Sequence, residues 1–327
     1  TNVKLMGGSG YHSGILGLCT DMASGDYSVK NCFTGENLHP VTYATSSSNV
    51  TKFAKNTKYE NVYTASPKTS SSGTEITYEG VTHLTADQMK GEAAKTNMTG
   101  FNFELDWETV ANGHPILREG AGEWNFDHTK KGEVWSGLLS EYYASGSGSK
   151  DDPYIIETGG QLALLANDAI NGKTTGLYYK ITADIILNDT TKANWKETAN
   201  EWYMGKWAQA FRGYLDGGYH TVSGLYLNKT KDNYDGPLYY SGLFAAIGKG
   251  AVIEKLGIVN SDMTFTHDTA DRYLGAFAGF VDQYDGTSTP ADQYPIIREC
   301  FADTTVYLNG ESCGGFIGCA TRPIRIE

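Results

Sequence analysis

A short motif of the form small–Gly–apolar–apolar–small recurs along this 327-residue chain. Its four copies are SGILG (13–17), SGLFA (241–245), LGAFA (274–278) and GGFIG (314–318). The first glycines of the last three copies, at positions 242, 275 and 314, are 33 and 39 residues apart. A recurrence every 20–50 residues is typical of repeat architectures, in which one structural unit stacks on the next. The chain therefore has to be interpreted first as a repeat protein.

A second, strand-like segment accompanies this motif. Its copies are SVKNCFTGENL (28–38), VIEKLGIVNSDMTF (252–265) and IIRECFADTTVYL (296–308). Each copy alternates apolar and polar residues and then breaks at Asn, Asp or Gly, as a strand does before a turn. Val29 and Cys32 occupy positions that match Ile297 and Cys300. Short strands, small-residue corners and this repeat length predict an all-β fold of the solenoid type.

Two amphipathic helices interrupt the strand pattern. Thr85 and Gln88 form a capping box before a helix over 86–95, and Thr158 and Gln161 form one before a helix over 159–171. The second helix carries one apolar stripe, formed by Leu162, Leu165, Ala166 and Ala169. Because the apolar ends of a solenoid need covering, we expect both to be short capping helices.

The helices and the composition divide the chain into three parts. Residues 119–150 are polar and rich in Gly and Ser, as expected of a junction. Residues 1–118 then form the closing portion of a β-solenoid that ends in a helix and a strand. Residues 151–327 form an opening portion with the entry helix 159–171. A longer insertion over 264–296 interrupts the repeats there.

The opening portion also contains longer motifs. They are DPYII (152–156), QLALLA (161–166), YYKITADIILN (178–188), FRGYLDGGYHTVSGLYLN (211–228) and SGLFAAIGKGAVIEKLGIVNSDM (241–263). In these motifs the chain resembles bacterial cell-surface proteins that carry GLUG repeats. The segments LTADQMK (84–90) and NGHPILRE (112–119) resemble the end of such a protein. The resemblance implies a right-handed parallel β-helix, an extracellular or cell-surface location, and roles in adhesion or in handling extracellular polymers. It transfers no catalytic residue.

The first and last copies of the short motif suggest a joint between chains. A solenoid end that lacks a cap could stack on the end of a second copy, head to tail, and so build a filament. The residues that would meet are Gly14, Ile15, Leu16 and Cys19 of one copy and Gly315, Phe316, Ile317 and Cys319 of the other. A chain cut from a longer protein is the alternative explanation.

The net charge and the spacing of the cysteines limit the classes of partner and cofactor that we expect. The formal net charge of −12 disfavours nucleic acid as a partner, and no apolar run approaches the roughly 18–20 residues of a membrane span. The five cysteines lack zinc-ligand spacing, and their disulfide state stays open. We expect no cofactor. Asp232, Asn233 and Asp235 precede a glycine as calcium ligands do, but the distal Glu is absent, which favours a solvated turn.

Aromatic residues supply the candidates for ligand binding. Tyr and Trp have apolar faces that stack on sugar rings and polar tips that bond to hydroxyl groups. The candidates are Trp195, Trp202, Trp207 and Tyr214. Aromatic residues in strands also pack in ladders, and we favour packing for most of this region while taking the three tryptophans as the best exposed candidates.

These observations predict a non-enzymatic structural or adhesion protein that presents a long, rigid surface. Its partners would be further copies of itself, or glycans or proteins of a host or a cell wall. One alternative is a glycan-binding module that uses exposed Trp and Tyr residues. Another is a β-helical polysaccharide lyase or hydrolase, which would need a groove with two carboxylates about 5–10 Å apart. Asp216 is a carboxylate candidate, although its DGG context is also that of a corner.

Overall fold

The computed structural model describes most of the second half of the chain and shorter stretches of the first. The described residues are 4–7, 11–13, 15–19, 27–34, 41–43, 57–65, 68–69, 75–76, 79–105, 107–117, 131–202, 209–230, 240–266, 273–282, 291–308 and 312–327. The calcium candidates Asp232, Asn233 and Asp235, the ligand candidate Trp207, and Gly14 lie outside these residues.

The described residues form strands, two α-helices and short 3-10 helices. The first half contains β1 (Lys4–Gly7), β2 (Tyr11–Ser13), β3 (Leu16–Cys19), β4 (Tyr27–Thr34), β5 (Val41–Tyr43), β6 (Thr57–Thr64), β7 (Lys68–Thr69), β8 (Glu75–Ile76), β9 (Val81–His83), α1 (Gly91–Asn97), β10 (Trp107–Val110), β11 (Gly113–Leu117), β12 (Lys131–Val134) and β13 (Tyr154–Ile156). The second half contains α2 (Gly159–Ile170), β14 (Tyr178–Ile181), β15 (Asp184–Ile186), β16 (Tyr214–Ser223), β17 (Tyr226–Thr230), β18 (Tyr240–Ser241), β19 (Phe244–Gly248), β20 (Val252–Thr266), β21 (Tyr273–Gly275), β22 (Ala278–Asp282), β23 (Ile296–Arg298), β24 (Phe301–Leu308), β25 (Ser312–Gly314), β26 (Ile317–Ala320) and β27 (Arg325–Ile326). The 3-10 helices are Asp87–Met89, Trp195–Glu197 and Ala291–Gln293.

Three parallel sheets dominate the structure. The first sheet runs in the order β12–β15–β16–β20–β23–β27–β4–β6–β9, the second β18–β21–β25–β2, and the third β19–β22–β26–β3–β5. Within the described residues, antiparallel pairing occurs only in the small sheets β10–β11 and β7–β8. The prediction of an all-β chain is therefore confirmed, and its large sheets are parallel.

The chain visits the three sheets in a fixed order. It passes through the second, third and first sheets as β18, β19 and β20, and again as β21, β22 and β23. The same order returns for β25, β26 and β27, and for β2, β3 and β4. We call one traverse of the second, third and first sheets a pass. Neighbouring passes pair strand to strand, so residues at equivalent positions line up in columns across the sheets. One column joins Ile253, Ile297, Ile326 and Val29, and each of these side chains is at most 2% exposed. The matching of Val29 with Ile297 is therefore correct.

The first and last copies of the short motif lie side by side within one chain. Leu16 pairs with Ile317, and Cys19 pairs with Ala320, between β3 and β26. The Ile15 carbonyl accepts hydrogen bonds from the N–H groups of Phe316 and Ile317, both at 3.1 Å. Strand β5 occupies the other side of β3.

This pairing corrects the interface predicted between chains. The start-side residues Ile15, Leu16 and Cys19 and the end-side residues Gly315, Phe316, Ile317 and Cys319 belong to one interior part of the stack. Because β3 already has a neighbouring strand on each side, it offers no free edge for a second copy. The prediction that these residues meet across a head-to-tail contact is wrong. Residues 1–118 and 151–327 also contribute neighbouring strands to the same sheets, and their division into separate domains stays a prediction.

Close backbone approach explains the glycines of the motif. A Cβ atom on Gly275 would lie 2.5 Å from the Ala278 carbonyl oxygen and 2.6 Å from that of Phe316. The apolar residues that follow fill the interior: the rings of Phe277 and Phe316 stack with centroids 5.1 Å apart, and Leu243 is fully buried. The glycine of the motif thus allows close backbone contact, and the apolar residues after it stack in the interior.

A column of left-handed residues marks another corner. Lys255, Glu299, Asn31 and Asn61 have φ between 50° and 55°. Asn31, Asn61 and Lys255 lie within β4, β6 and β20, and Glu299 lies between β23 and β24. The amide of Asn61 donates to the Asn31 side-chain oxygen at 3.0 Å. Asn adopts this conformation readily, whereas Lys255 and Glu299 each lose about 1–2 kcal/mol in it, so the stacked neighbours must hold those two residues in place.

Cys32 and Cys300 each follow one of these corner residues and are half-buried. Desolvation raises the pKa of Cys32 from 9.0 to about 12, although the thiol donates to the Lys30 carbonyl. Desolvation also raises the pKa of Cys300. Because the thiolate is the reactive form, the raised pKa of each thiol should make both side chains unreactive.

We therefore expect Cys32 to be alkylated at pH 8 about a thousandfold more slowly in the native protein than in the unfolded chain, and Cys300 to be slowed as well. The factor follows from the rise of the Cys32 pKa from 9.0 to about 12. Quenched iodoacetamide labelling with peptide mass spectrometry measures it. Native labelling at the rate of the unfolded chain would contradict the assignment.

The helix predicted over 159–171 is present as α2 (Gly159–Ile170), and its apolar stripe packs into the main core. The Thr158 hydroxyl accepts the Gln161 N–H at 3.3 Å, and Leu162, Leu165, Ala166 and Ala169 are at most 2% exposed. The helix predicted over 86–95 is not continuous. A 3-10 turn precedes α1, and Gly91, the first residue of α1, has a left-handed φ of 54°. The predicted capping box is present, with the Thr85 N–H donating to Gln88 Oε1 at 2.8 Å.

Candidate functional site

The segment from Asn188 to Asn200 is a loop whose two ends are joined by hydrogen bonds, and we call residues 189–199 the clasped loop. The Asn188 amide donates to the carbonyl oxygens of Asn200, at 3.0 Å, and Gly224, at 2.7 Å. Its side-chain oxygen accepts the Asn200 N–H at 2.7 Å. Asn188 is 4% exposed, so its amide satisfies backbone groups away from water. Surface loops with joined ends frequently carry function.

Trp202 anchors the chain just beyond the clasp. It is 1% exposed, its indole N–H donates to the Leu243 carbonyl at 3.1 Å, and its ring meets Trp135 edge to face at 5.4 Å. The Asn200 amide also donates to the Trp135 carbonyl at 2.8 Å. The prediction of Trp202 as an exposed ligand-binding residue is therefore wrong, because neighbouring strands bury it and its N–H has an internal partner.

Trp195 lies on the clasped loop itself, at the start of the 3-10 helix Trp195–Glu197. Its side chain is partly exposed. The Tyr226 ring meets the indole at 5.4 Å and 72°, and the Lys196 amine lies 5.7 Å from the indole centroid. Lys196 also forms an ion pair with Asp262 on β20. Contacts with two strands therefore fix the position of this aromatic ring.

Several polar side chains of the loop are paired with one another. The Asn194 amide donates to Glu197 Oε2 at 3.0 Å, and Lys192 lies 3.2 Å from Asp189. A hydrogen bond from the Thr191 hydroxyl, followed by Lys192, holds the pKa of Asp189 below its usual value. These pairs hold amide, carboxylate and amine groups together in one short segment that contains Trp195.

Replacing Asn188 by Leu should release the loop. The substitution leaves the Asn200 N–H and two carbonyl oxygens without partners, and an unsatisfied buried polar group costs about 1–3 kcal/mol. We expect a loss of about 2 kcal/mol in the free energy of unfolding and much faster proteolysis within residues 189–199. Limited trypsinolysis with mass mapping measures the latter. Cleavage rates equal to those of the native protein would show that the amide does not hold the loop.

A second group of polar residues follows the outer face of the first sheet. The Tyr178 and Tyr214 rings stack with centroids 5.3 Å apart. The Tyr214 hydroxyl donates to Glu254 Oε1, and Arg298 Nε donates to Glu254 Oε2 at 2.7 Å. Burial, followed by this hydrogen bond to Glu254, raises the pKa of Tyr214. The ligand candidate Tyr214 is thus half-buried and engaged within the strand stack.

Asp216 and Glu254 are register neighbours on β16 and β20. Lys180 lies 3.7 Å from Asp216, whose Oδ1 also accepts the Gly218 N–H at 2.9 Å. Glu254 is 4% exposed, beneath Tyr214 and Arg298. Both carboxylates are therefore held by partners that join successive strands. The sequence did not reveal Glu254 and Arg298 as partners, because they lie 44 positions apart and the sheet sets their register.

Among the residues that the structure describes, no group of three or more His, Cys, Asp or Glu side chains is arranged to hold a metal ion. No helix in the same residues combines the length and the apolar character that crossing a membrane requires.

Comparison with known proteins gives two relatives. A protein of Evansella cellulosilytica described as a Gly-rich membrane protein is 27% identical over 143 residues, which is 43% of this chain and 14% of that protein. Halomucin of Haloquadratum walsbyi is 26% identical over 218 residues, 63% of this chain and 2% of halomucin. The chain thus spans a small part of both relatives. No family model matches it, and no solved structure matches it significantly.

Proposed function

We propose that the chain is a segment of a right-handed parallel β-helix that serves as a rigid structural or adhesive element outside the cell. The observation that carries the proposal is the repeated order of second, third and first sheet, with each pass parallel to the last. Connections between parallel strands are right-handed in about 98% of cases, and this tendency supports a right-handed helix. Kinship with GLUG-repeat proteins stays a prediction.

Rigidity follows from the side-chain columns. In the interior, the isoleucine and valine column and the Phe277–Phe316 stack hold neighbouring passes together. On the outer face of the first sheet, the hydrogen bonds among Tyr214, Glu254 and Arg298 do the same. Stacked repeats whose neighbours contact each other in this way present extended surfaces without a large conformational cost on binding.

The two relatives support a surface location. One is described as a membrane protein and the other as halomucin, and this chain corresponds to a small part of each. The formal charge of −12 is also consistent with a solvated outer surface that resists association with polyanions. We therefore propose an extracellular or cell-surface location, within a longer polypeptide.

Two measurements on the purified chain test this proposal. Small-angle X-ray scattering should give one elongated, rigid particle, and the chain should sediment with isolated bacterial cell walls. Release of reducing ends from polysaccharides, abolished by Glu254→Gln in a protein that remains folded, would instead assign a carbohydrate-cleaving activity. A compact scattering profile without cell-wall binding would contradict both the β-helix and its adhesive role.

A further inference from the structure

We propose that the clasped loop 189–199 forms a binding subsite for neutral saccharides, centred on Trp195. The proposal concerns one surface of the chain and does not depend on the adhesive role of the whole. It starts from a contrast between two tryptophans: Trp202 is buried with an internal hydrogen-bond partner, whereas Trp195 is partly exposed on a loop. An indole supplies a flat apolar face suited to the C–H groups of a sugar ring.

The loop is preorganised for binding. Asn188 joins its ends through hydrogen bonds of 2.7–3.0 Å. Tyr226 contacts the indole from β17, and the Lys196–Asp262 ion pair ties the loop to β20. A ring held by contacts of this kind loses little conformational entropy when a ligand stacks on it, and that saving favours affinity.

Polar groups close to the indole suit hydroxyl groups. Asn194 and Glu197, joined at 3.0 Å, offer an amide donor and a carboxylate acceptor next to Trp195 in sequence. Ligand sites commonly combine an apolar face with a few polar groups that fix orientation. The neighbouring exposed Lys196 adds an amine that lies over the indole ring, 5.7 Å from its centroid.

Charge favours neutral over anionic saccharides. Lys192 and Lys196, the two lysines of this loop, are paired with Asp189 and Asp262. The loop therefore offers no excess positive charge to a uronate or sulfate group. The chain as a whole carries −12, which repels polyanions at long range.

Affinity electrophoresis tests the subsite. The purified chain is run in native gels that contain mixed-linkage β-glucan, glucomannan or hydroxyethylcellulose, with polygalacturonate as the anionic comparison. We expect retardation by at least one neutral polymer and about a tenfold weaker affinity for Trp195→Ala. Trp195→Tyr should retain part of the affinity. Tyr142→Ala, which changes an aromatic residue that is 76% exposed elsewhere, should bind like the native chain.

Three results would overturn the subsite: no retardation by any neutral polymer, equal binding by Trp195→Ala, or binding to polygalacturonate alone. If Trp195→Ala has a lowered melting temperature, Trp195→Phe replaces it in a fluorescence titration. The saccharide-induced change in tryptophan emission should then vanish in Trp195→Phe, and its persistence would also overturn the proposal. Loss of saccharide binding with intact cell-wall sedimentation would reject the subsite and leave the adhesive role in place.

Discussion

Replacing Gly275 by Ala is expected to lower the free energy of unfolding by about 3 kcal/mol, at the upper end of the usual range for overpacking. The added Cβ atom would lie 2.5 Å from the Ala278 oxygen, 2.6 Å from the Phe316 oxygen and 2.7 Å from the Gly318 nitrogen. All three are backbone atoms, and two belong to the neighbouring pass. The clash can be relieved only by separating strands that are hydrogen-bonded to each other.

Gly250 provides the matched control for this substitution. A Cβ atom there meets nothing within 4 Å, and the backbone is left-handed with φ 78°. Because Asn tolerates that conformation, Gly250→Asn should cost less than about 1 kcal/mol. Urea unfolding followed by circular dichroism compares the two variants. Equal losses of unfolding free energy in the two variants would show that close contact between passes is not the reason for glycine at the repeated positions.

Arg298→Met should produce a loss of similar size, for an electrostatic reason. Glu254 is 4% exposed and relies on Arg298 and Tyr214. Breaking a buried ion pair costs about 3–5 kcal/mol because one charge stays buried without its partner. The Arg298 side chain is 39% exposed, and solvent screening reduces the expected loss to about 2–3 kcal/mol.

Two further variants separate the charge effect from lost packing. The double variant Glu254→Gln with Arg298→Met removes both charges and should recover at least half of the loss. Lys30→Met breaks the equivalent pair with Glu60, whose side chains are 39% and 60% exposed, and should cost less than about 1 kcal/mol. Additive losses in the double variant would contradict a coupled buried pair.

The parts of the fold set by local chemistry were predictable from the sequence. The glycine motif, the Thr158–Gln161 box and the correspondence of Val29 with Ile297 depend on short patterns, and the structure agrees with them. The helix over 86–95 was predicted in the right place, but the left-handed Gly91 divides it. A single glycine inside a helical pattern does not reveal its own φ angle.

Other features depended on which distant segments meet. Trp202 is buried because Trp135 and Leu243 lie against it, and sequence alone does not place those residues. The similarity of residues 13–19 and 313–319 predicted a contact but could not distinguish one chain from two. Glu254 and Arg298 were not recognised because the strand register that joins them is set by stacking over the whole sheet.

Pairing of the first and last parts of the chain within one molecule is the central claim, and a designed disulfide tests it most directly. Ser28 and Arg325 are register partners on β4 and β27. After mild oxidation, the variant Ser28→Cys with Arg325→Cys should form a bond within a monomer, identified by peptide mass spectrometry. The control Ser28→Cys with Lys180→Cys, whose positions lie several strands apart, should not. Bonds that form only between chains, seen as dimers and larger species, would contradict a single continuous stack.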